Sequence, residues 1–256
     1  RIAGNEIEKG RIADLQTVQN LDRVAYSGKV SILKHVWEIF SMNGEMLTHD
    51  FKLLTHGRQS ASLSDTNLLI GKENIFCEEG ARAEGVIINA SNGPVYLGKD
   101  VELMEGTVVR GPFAILDGSK TKLSAKIYGP TTIGPQCKVG GEINNSVFQG
   151  YSNKAHDGFL GNSVIGEWCN IGADSNNSNL KNTYDEVKLW SYSKGSFVKT
   201  GLQFCGLIMG DHSKCGINTM FNTGTVIGVN VNLFGPGFQR NFIPSFSWGG
   251  TAGMKT

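Results

Sequence analysis

Between residues 97 and 139 a buried-type side chain recurs at every sixth position, at Leu97, Leu103, Val109, Ile115, Thr121, Ile127, Ile133 and Val139. Four residues after the first of these begins a second series, Val101, Thr107, Phe113, Ser119, Ala125, Thr131 and Cys137, made mostly of small or β-branched side chains. A helix repeats every ~3.6 residues and a half-buried strand every ~2, so a sustained period of six is neither and marks an internal repeat. Each hexad reads as a short strand plus a turn, and the stack predicts a parallel β-solenoid. Glycine follows the aliphatic position at Gly71, Gly98, Gly134, Gly140, Gly166, Gly172 and Gly228, where a tight corner favours a residue without Cβ. The phase returns late in the chain at Met209, Cys215, Phe221, Ile227 and Leu233.

Two stretches leave the lattice, residues 140–158 and residues 174–200, the second rich in Asn, Lys and Tyr. Loops thrown out of a rigid scaffold commonly carry binding and catalysis. Residues 1–66 lack the hexad pattern. Ile12, Leu15, Val18 and Leu21 have helical spacing, and Ile32, Val36, Trp37, Ile39 and Phe40 form the apolar side of a second helix beginning near Ser31 and punctuated by Asn43-Gly44. The solenoid then starts at Ile70, Phe76 and Ile88, with a slip around Asn92-Gly93-Pro94. The reading is a mainly β chain, a small mixed α/β segment over 1–66 followed by a solenoid over 67–256.

Composition agrees with this and narrows the function. Thirty-four glycines in 256 residues is nearly twice the ordinary usage of ~7% and suits a fold with a corner at every sixth residue. A net charge of +1, from 24 basic and 23 acidic residues, supplies no field for nucleic acid or anionic lipid. No apolar run approaches the ~18 residues needed to span a bilayer, and no signal-peptide pattern opens the chain. Five cysteines without CxxC spacing, Cys77, Cys137, Cys169, Cys205 and Cys215, read as small buried hydrophobes in a reducing compartment, so a cytoplasmic protein is expected. The chain begins without methionine and is expected to be a piece of a longer one.

The aliphatic-Gly-x-x-small-x pattern resembles the hexapeptide-repeat family, whose members form a left-handed parallel β-helix with three hexads per triangular coil. Within it, residues 154–182 resemble the catalytic stretch of bifunctional N-acetylglucosamine-1-phosphate uridyltransferase/glucosamine-1-phosphate acetyltransferases. The matching positions are His156, Gly161, Ile165-Gly166, Asn170, Gly172-Ala173 and Asn179, without an insertion. The whole chain is similar to a bacterial group of sugar nucleotidyltransferase-like proteins related to that family, through Ser152-Asn153-Lys154, Glu167-Trp168-Cys169-Asn170, Ser178-Asn179-Leu180-Lys181-Asn182 and Gly210-Asp211-His212. The resemblance implies that residues 1–66 end a nucleotidyltransferase domain. The glycine-rich nucleotide-binding signature of such a domain is absent, so no nucleotidyl transfer is expected from this chain, and Mg²⁺ would serve only the missing part.

What the resemblance implies for the solenoid is acetyl transfer from acetyl-CoA to an amino-sugar 1-phosphate, in a homotrimer with the site between neighbouring copies. His156 would be the general base, Asn179 a group orienting the amine or the base, Asn170 a substrate-site residue, and the Ala173 backbone N–H a donor to the thioester oxygen. Ala173, Gly216 and His212 would line the acetyl-CoA groove. An imidazole titrating near ~6.5 suits proton removal from an ammonium at neutral pH, and a fixed backbone N–H suits a developing oxyanion. The chain departs from the family at Phe159, where a tyrosine would contact the sugar. No basic phosphate clamp stands in the coil before the loop, which leaves Arg110, Lys126 and Lys154 as replacements on charge alone. Each feature also has a plainer reading. His156 is then a loop residue, His212 a corner cap, the asparagines ladder or corner residues, and the solenoid a non-catalytic oligomerising or regulatory module.

Overall fold

The computed structural model describes residues 27–255 apart from residue 29. The helix expected around Ile12 and Leu21 lies outside the described residues. Residues Arg1–Ile32 form one unit and Leu33–Thr256 a second, and the architecture below is that of the second.

Three stacks of strands build it, parallel throughout except for the closing pair Trp248–Gly250 and Gly253–Lys255, which is antiparallel. The first face runs from Leu68–Ile70 through Ile87–Asn89, Val108–Arg110, Lys126–Tyr128 and Glu142–Asn144 to Phe159–Gly161, and the pair Asn176–Asn177 and Met220–Phe221 follows it. The second face has nine strands, from Ile75–Cys77 to Phe242–Ile243, and the third has ten, from Arg82–Ala83 to Gly253–Lys255. Because each parallel pair joins strands a full circuit apart, consecutive segments take the three faces in turn. The result is a parallel β-solenoid of about ten turns, the left-handed β-helix of the expectation.

Both lattices point inward. Leu97, Leu103, Val109, Ile115, Ile127, Ile133 and Val139 are all buried in one continuous core, and Met209, Cys215, Phe221, Ile227 and Leu233 extend it. The small-residue lattice is buried too, and its hydroxyls satisfy backbone that the corners leave unpaired. Ser119 donates to Gly134 O (2.7 Å) and accepts from Cys137 N (2.8 Å), and Ser152 repeats the pattern with Gly166 O (2.7 Å) and Cys169 N (2.8 Å).

The repeat glycines sit where expected, for a different reason. A Cβ on Gly134 would lie 2.0 Å from Gln149 O in the next coil, so close approach between stacked backbones excludes a side chain there. The left-handed conformation falls two residues later, at Gln136 (φ 57°) and likewise at Asp174 (φ 57°), where a non-glycine residue bears the strain.

Residues 140–158 do not leave the scaffold. They contain Glu142–Asn144, Val147–Gly150 and Asn153–Lys154, one strand on each face. Gly140-Gly141 shortens one corner, so Ile143 and Phe148 stay in the core while the strict six-residue period is lost. The second stretch does leave, but later than expected, since Asn176–Asn177 still pairs in register with Met220–Phe221. Its excursion contains the antiparallel hairpin Lys188–Ser191 with Ser196–Lys199, which packs Val187 and Leu189 onto Val147, Val164 and Val226 from outside the second face.

The helix expected from Ser31 is two shorter ones, α1 (Glu38–Ser41) and α2 (Asn43–Thr55). The Glu38 carboxylate accepts from the backbone N–H groups of Lys34 and His35, so helix begins there and not earlier. Asn43-Gly44 opens α2 and does not punctuate a helix end. Thr132 Oγ1 donates to Asn43 Oδ1 at 2.8 Å, and Trp37 and Phe40 are buried with Val147, Val164 and Ile208.

Candidate functional site

The triangular coil has three corners, and each carries part of the expected site. His156 lies at the corner between the third and first faces. Its placement follows from Lys154, which takes the inward lattice position beside Val139. The chain then turns outward and leaves the imidazole exposed. An open cleft of about 610 Å³ runs along this corner, lined by Met104, Lys122, His156, Asp157, Ala173 and Asp174 among others. The structure therefore brings His156 and Ala173 together. Asp157 and Asp174 are stacked one coil apart, with Asp174 N donating to Asp157 O at 3.0 Å.

The other residues stand elsewhere on the coil. Asn179 is at the corner between the first and second faces, where its amide donates to Asn162 Oδ1 at 2.8 Å. With the Asn145 amide turned to donate to Phe40 O (3.1 Å), its oxygen accepts from Asn162 Nδ2 at 2.9 Å, which completes a three-residue asparagine ladder. Phe159 folds over Gly161, where a Cβ would lie 2.5 Å from its ring and 2.7 Å from Asn179 Nδ2. Phe159 and Asn179 are thus neighbours at the Gly161 end of the first face, and neither lines the His156 cleft. Asn170 is exposed on the third face, paired in register with Asn153 and Lys214. Gly216 stacks against Gly172, whose added Cβ would meet the Gly216 backbone at 2.4 Å.

His212 occupies the remaining corner in a stack of exposed rings. Tyr151 and Trp168 are 4.7 Å apart and Trp168 and His212 6.3 Å apart between centroids, both pairs within 7° of parallel. Arg110 ends a first-face strand between Asn89 and Tyr128, and Lys126 pairs with Val108 and Glu142 on the same face. Neither lines the His156 cleft.

Lys154 was expected as a replacement phosphate clamp, but its side chain is turned inward. The residue is 1% exposed, and its ammonium donates to Gly140 O (3.0 Å) and His156 O (2.8 Å). Burial pushes it down to about 8, against the pull of the nearby Asp157, Cys215 and Asp174. Interior lysines are rare, and the reason for this one is its register: it stands on the lattice in line with Thr121 and Val139.

Residues passed over at the sequence level are Lys122 and Asp174. They become visible only when the chain is wrapped at the coil length, which differs from coil to coil. All five cysteines are free and buried. Burial raises the thiols of Cys77, Cys137 and Cys169 to about 11 and that of Cys205 to about 12. Such thiols are poor nucleophiles. Among the described residues no group of three or more His, Cys, Asp or Glu is placed to hold a metal ion, and no helix is long and apolar enough to cross a membrane.

A search of curated proteins returned no match. The model of a family described as sugar nucleotidyl transferase matches residues 3–59. Over that stretch the chain is similar to sugar nucleotidyl transferases, and from Leu68 onward it is a β-solenoid.

Proposed function

We propose that the solenoid is an acetyltransferase module acting on an amino-sugar 1-phosphate with acetyl-CoA as donor, associated with a nucleotidyl transferase-like stretch at its N-terminal end. The observation that carries this reading is the shared cleft, in which an exposed histidine stands beside the Ala173 corner. His156 takes a proton from the acceptor amine as its nitrogen bonds to the thioester carbonyl carbon. The Ala173 N–H steadies the oxyanion of the tetrahedral intermediate. Collapse breaks the C–S bond, and the imidazolium returns its proton to the departing thiolate.

Asn179 and Asn170 lie on other surfaces of the same coil, so a site using all four residues is shared between copies, and a trimer is the proposed assembly. The exposed apolar side chains of Leu68, Ile87 and Val108 on the first face support burial against another copy. The test is thiol release from acetyl-CoA over a panel of amino-sugar 1-phosphates. His156→Ala is expected to lower kcat by ~10²–10⁴. Equal rates for the two proteins would retire the enzymatic reading.

A second reading, a non-catalytic oligomerising module, is favoured by the asparagine ladder, which gives Asn179 a structural role. A trimer without turnover on any acceptor would select it.

A further inference from the structure

We propose that Lys154 is a positioning residue, whose enclosed ammonium ties the backbone carbonyl of His156 to that of Gly140 in the preceding coil and so fixes where the imidazole stands in the cleft. Three observations meet at this point. The side chain is buried at a lattice position where its neighbours along the third face are Thr121, Val139 and Ile171. Both hydrogen bonds of its ammonium go to main-chain carbonyls of the corner itself, Gly140 O at 3.0 Å and His156 O at 2.8 Å. The strand that carries Lys154 also pairs unequally on its two sides: it registers two residues with the preceding coil, Lys138↔Asn153 and Val139↔Lys154, and one with the following coil, Asn153↔Asn170. The ammonium acts on the preceding side, joining the Gly140 corner to the His156 corner just beyond the end of that ladder.

Stability alone does not account for a cation in this place. An apolar side chain of similar length would fill the same space without the desolvation cost, and replacing buried charges in this way is often neutral or stabilising. What methionine cannot do is hold two carbonyls. The charged and titratable groups facing the ammonium are Asp157, Cys215 and Asp174. The two carboxylates lie in the cleft beside His156, so the clamp and the cleft share one electrostatic environment.

The clamp is a feature of the fold, whatever reaction the cleft supports. Its kinetic consequence rests on the proposed acetyl transfer, where Lys154→Met is expected to lower kcat with little change in the KM for acetyl-CoA. Amide hydrogen exchange on the full chain separates the two. In Lys154→Met, the corner amides of Gly140 and Asp174, which donate to Lys154 O and Asp157 O, are expected to exchange at least tenfold faster, with amides on the other two faces of the coil within twofold of wild type. Unchanged exchange at Gly140 and Asp174 would overturn the proposal whatever the transfer assay shows. If the methionine chain does not fold, the wild-type ring decides. The His156 imidazole resonances, followed against pH, should show an inflection near 8 as Lys154 loses its charge. The Cys215 thiol, pushed upward by burial, is not the source of that inflection. Absence of that inflection would equally overturn the clamp.

Discussion

At the scale of single residues the solenoid depends on polar atoms hidden inside it. Ser152 donates to Gly166 O and accepts from Cys169 N within the core. Ser152→Ala leaves a buried N–H without its acceptor, and such a loss costs ~1–3 kcal/mol, measurable by denaturant unfolding. Lys154 has a pH signature of its own. Its ammonium is depressed to about 8 from 10.5, so between those values the unfolded chain binds more protons and this group makes the fold more stable as pH rises. The buried thiols act in the opposite sense. Cys77, Cys137 and Cys169 are raised from 9.0 to about 11, so above pH 9 the unfolded chain loses protons first and stability falls. The thiols outnumber the lysine. Wild type should therefore gain stability between about 8 and 9 and lose it beyond, and Lys154→Met should remove the rise while keeping the fall, as read from unfolding midpoints against pH. The residue identities were legible in the sequence. The burial of Lys154 was not, because a lysine reads as surface until register puts it in line with Val139.

At the scale of elements, the corners and the excursion decide how far the lattice could be read. Six-residue spacing was clear wherever corners had standard length. It failed across 140–158, where Gly140-Gly141 closes a corner in fewer residues and a full coil reads as a loop. The hairpin of the second excursion carries no hexad signal, because its apolar residues face the outside of the second face and not the coil interior. Leu189 is fully buried there with Val147, Val164 and Val226. Leu189→Ala is expected to cost ~2–5 kcal/mol, and limited proteolysis of that variant should begin within residues 178–206 before the coils are cut. The opening coils are anchored differently. Glu78 accepts from Arg58 at 2.6 Å and from the Tyr96 hydroxyl at 2.7 Å. The Arg58 hydrogen bond holds the Glu78 carboxyl below its usual value, and Tyr96 is raised to about 12 by burial first and by Glu78 second.

At the scale of the molecule, each coil touches chiefly its neighbours, as in other stacked repeats, and the residues that alternate with the inward lattices are left on the outside of the faces. Proposed assembly through the first face carries its own expectation. Sedimentation at micromolar concentration should give a trimer, and Val108→Lys, which puts a charge in the apolar strip of Leu68, Ile87 and Val108, should shift it toward monomer while leaving the coil signature in circular dichroism. The sequence by itself determined the solenoid, both inward lattices and the burial of the cysteines, because each depends on a short local period along the chain. Tertiary structure alone decided which corner each residue occupies. Registers such as Thr121↔Val139, Val139↔Lys154 and Asn153↔Asn170 advance by 18, 15 and 17 residues, and small differences in corner length accumulate along the stack. That is why His156 and Ala173 share a cleft while Asn179 joins an asparagine ladder on another corner, and why a lysine came to rest inside the coil with the His156 carbonyl on its ammonium.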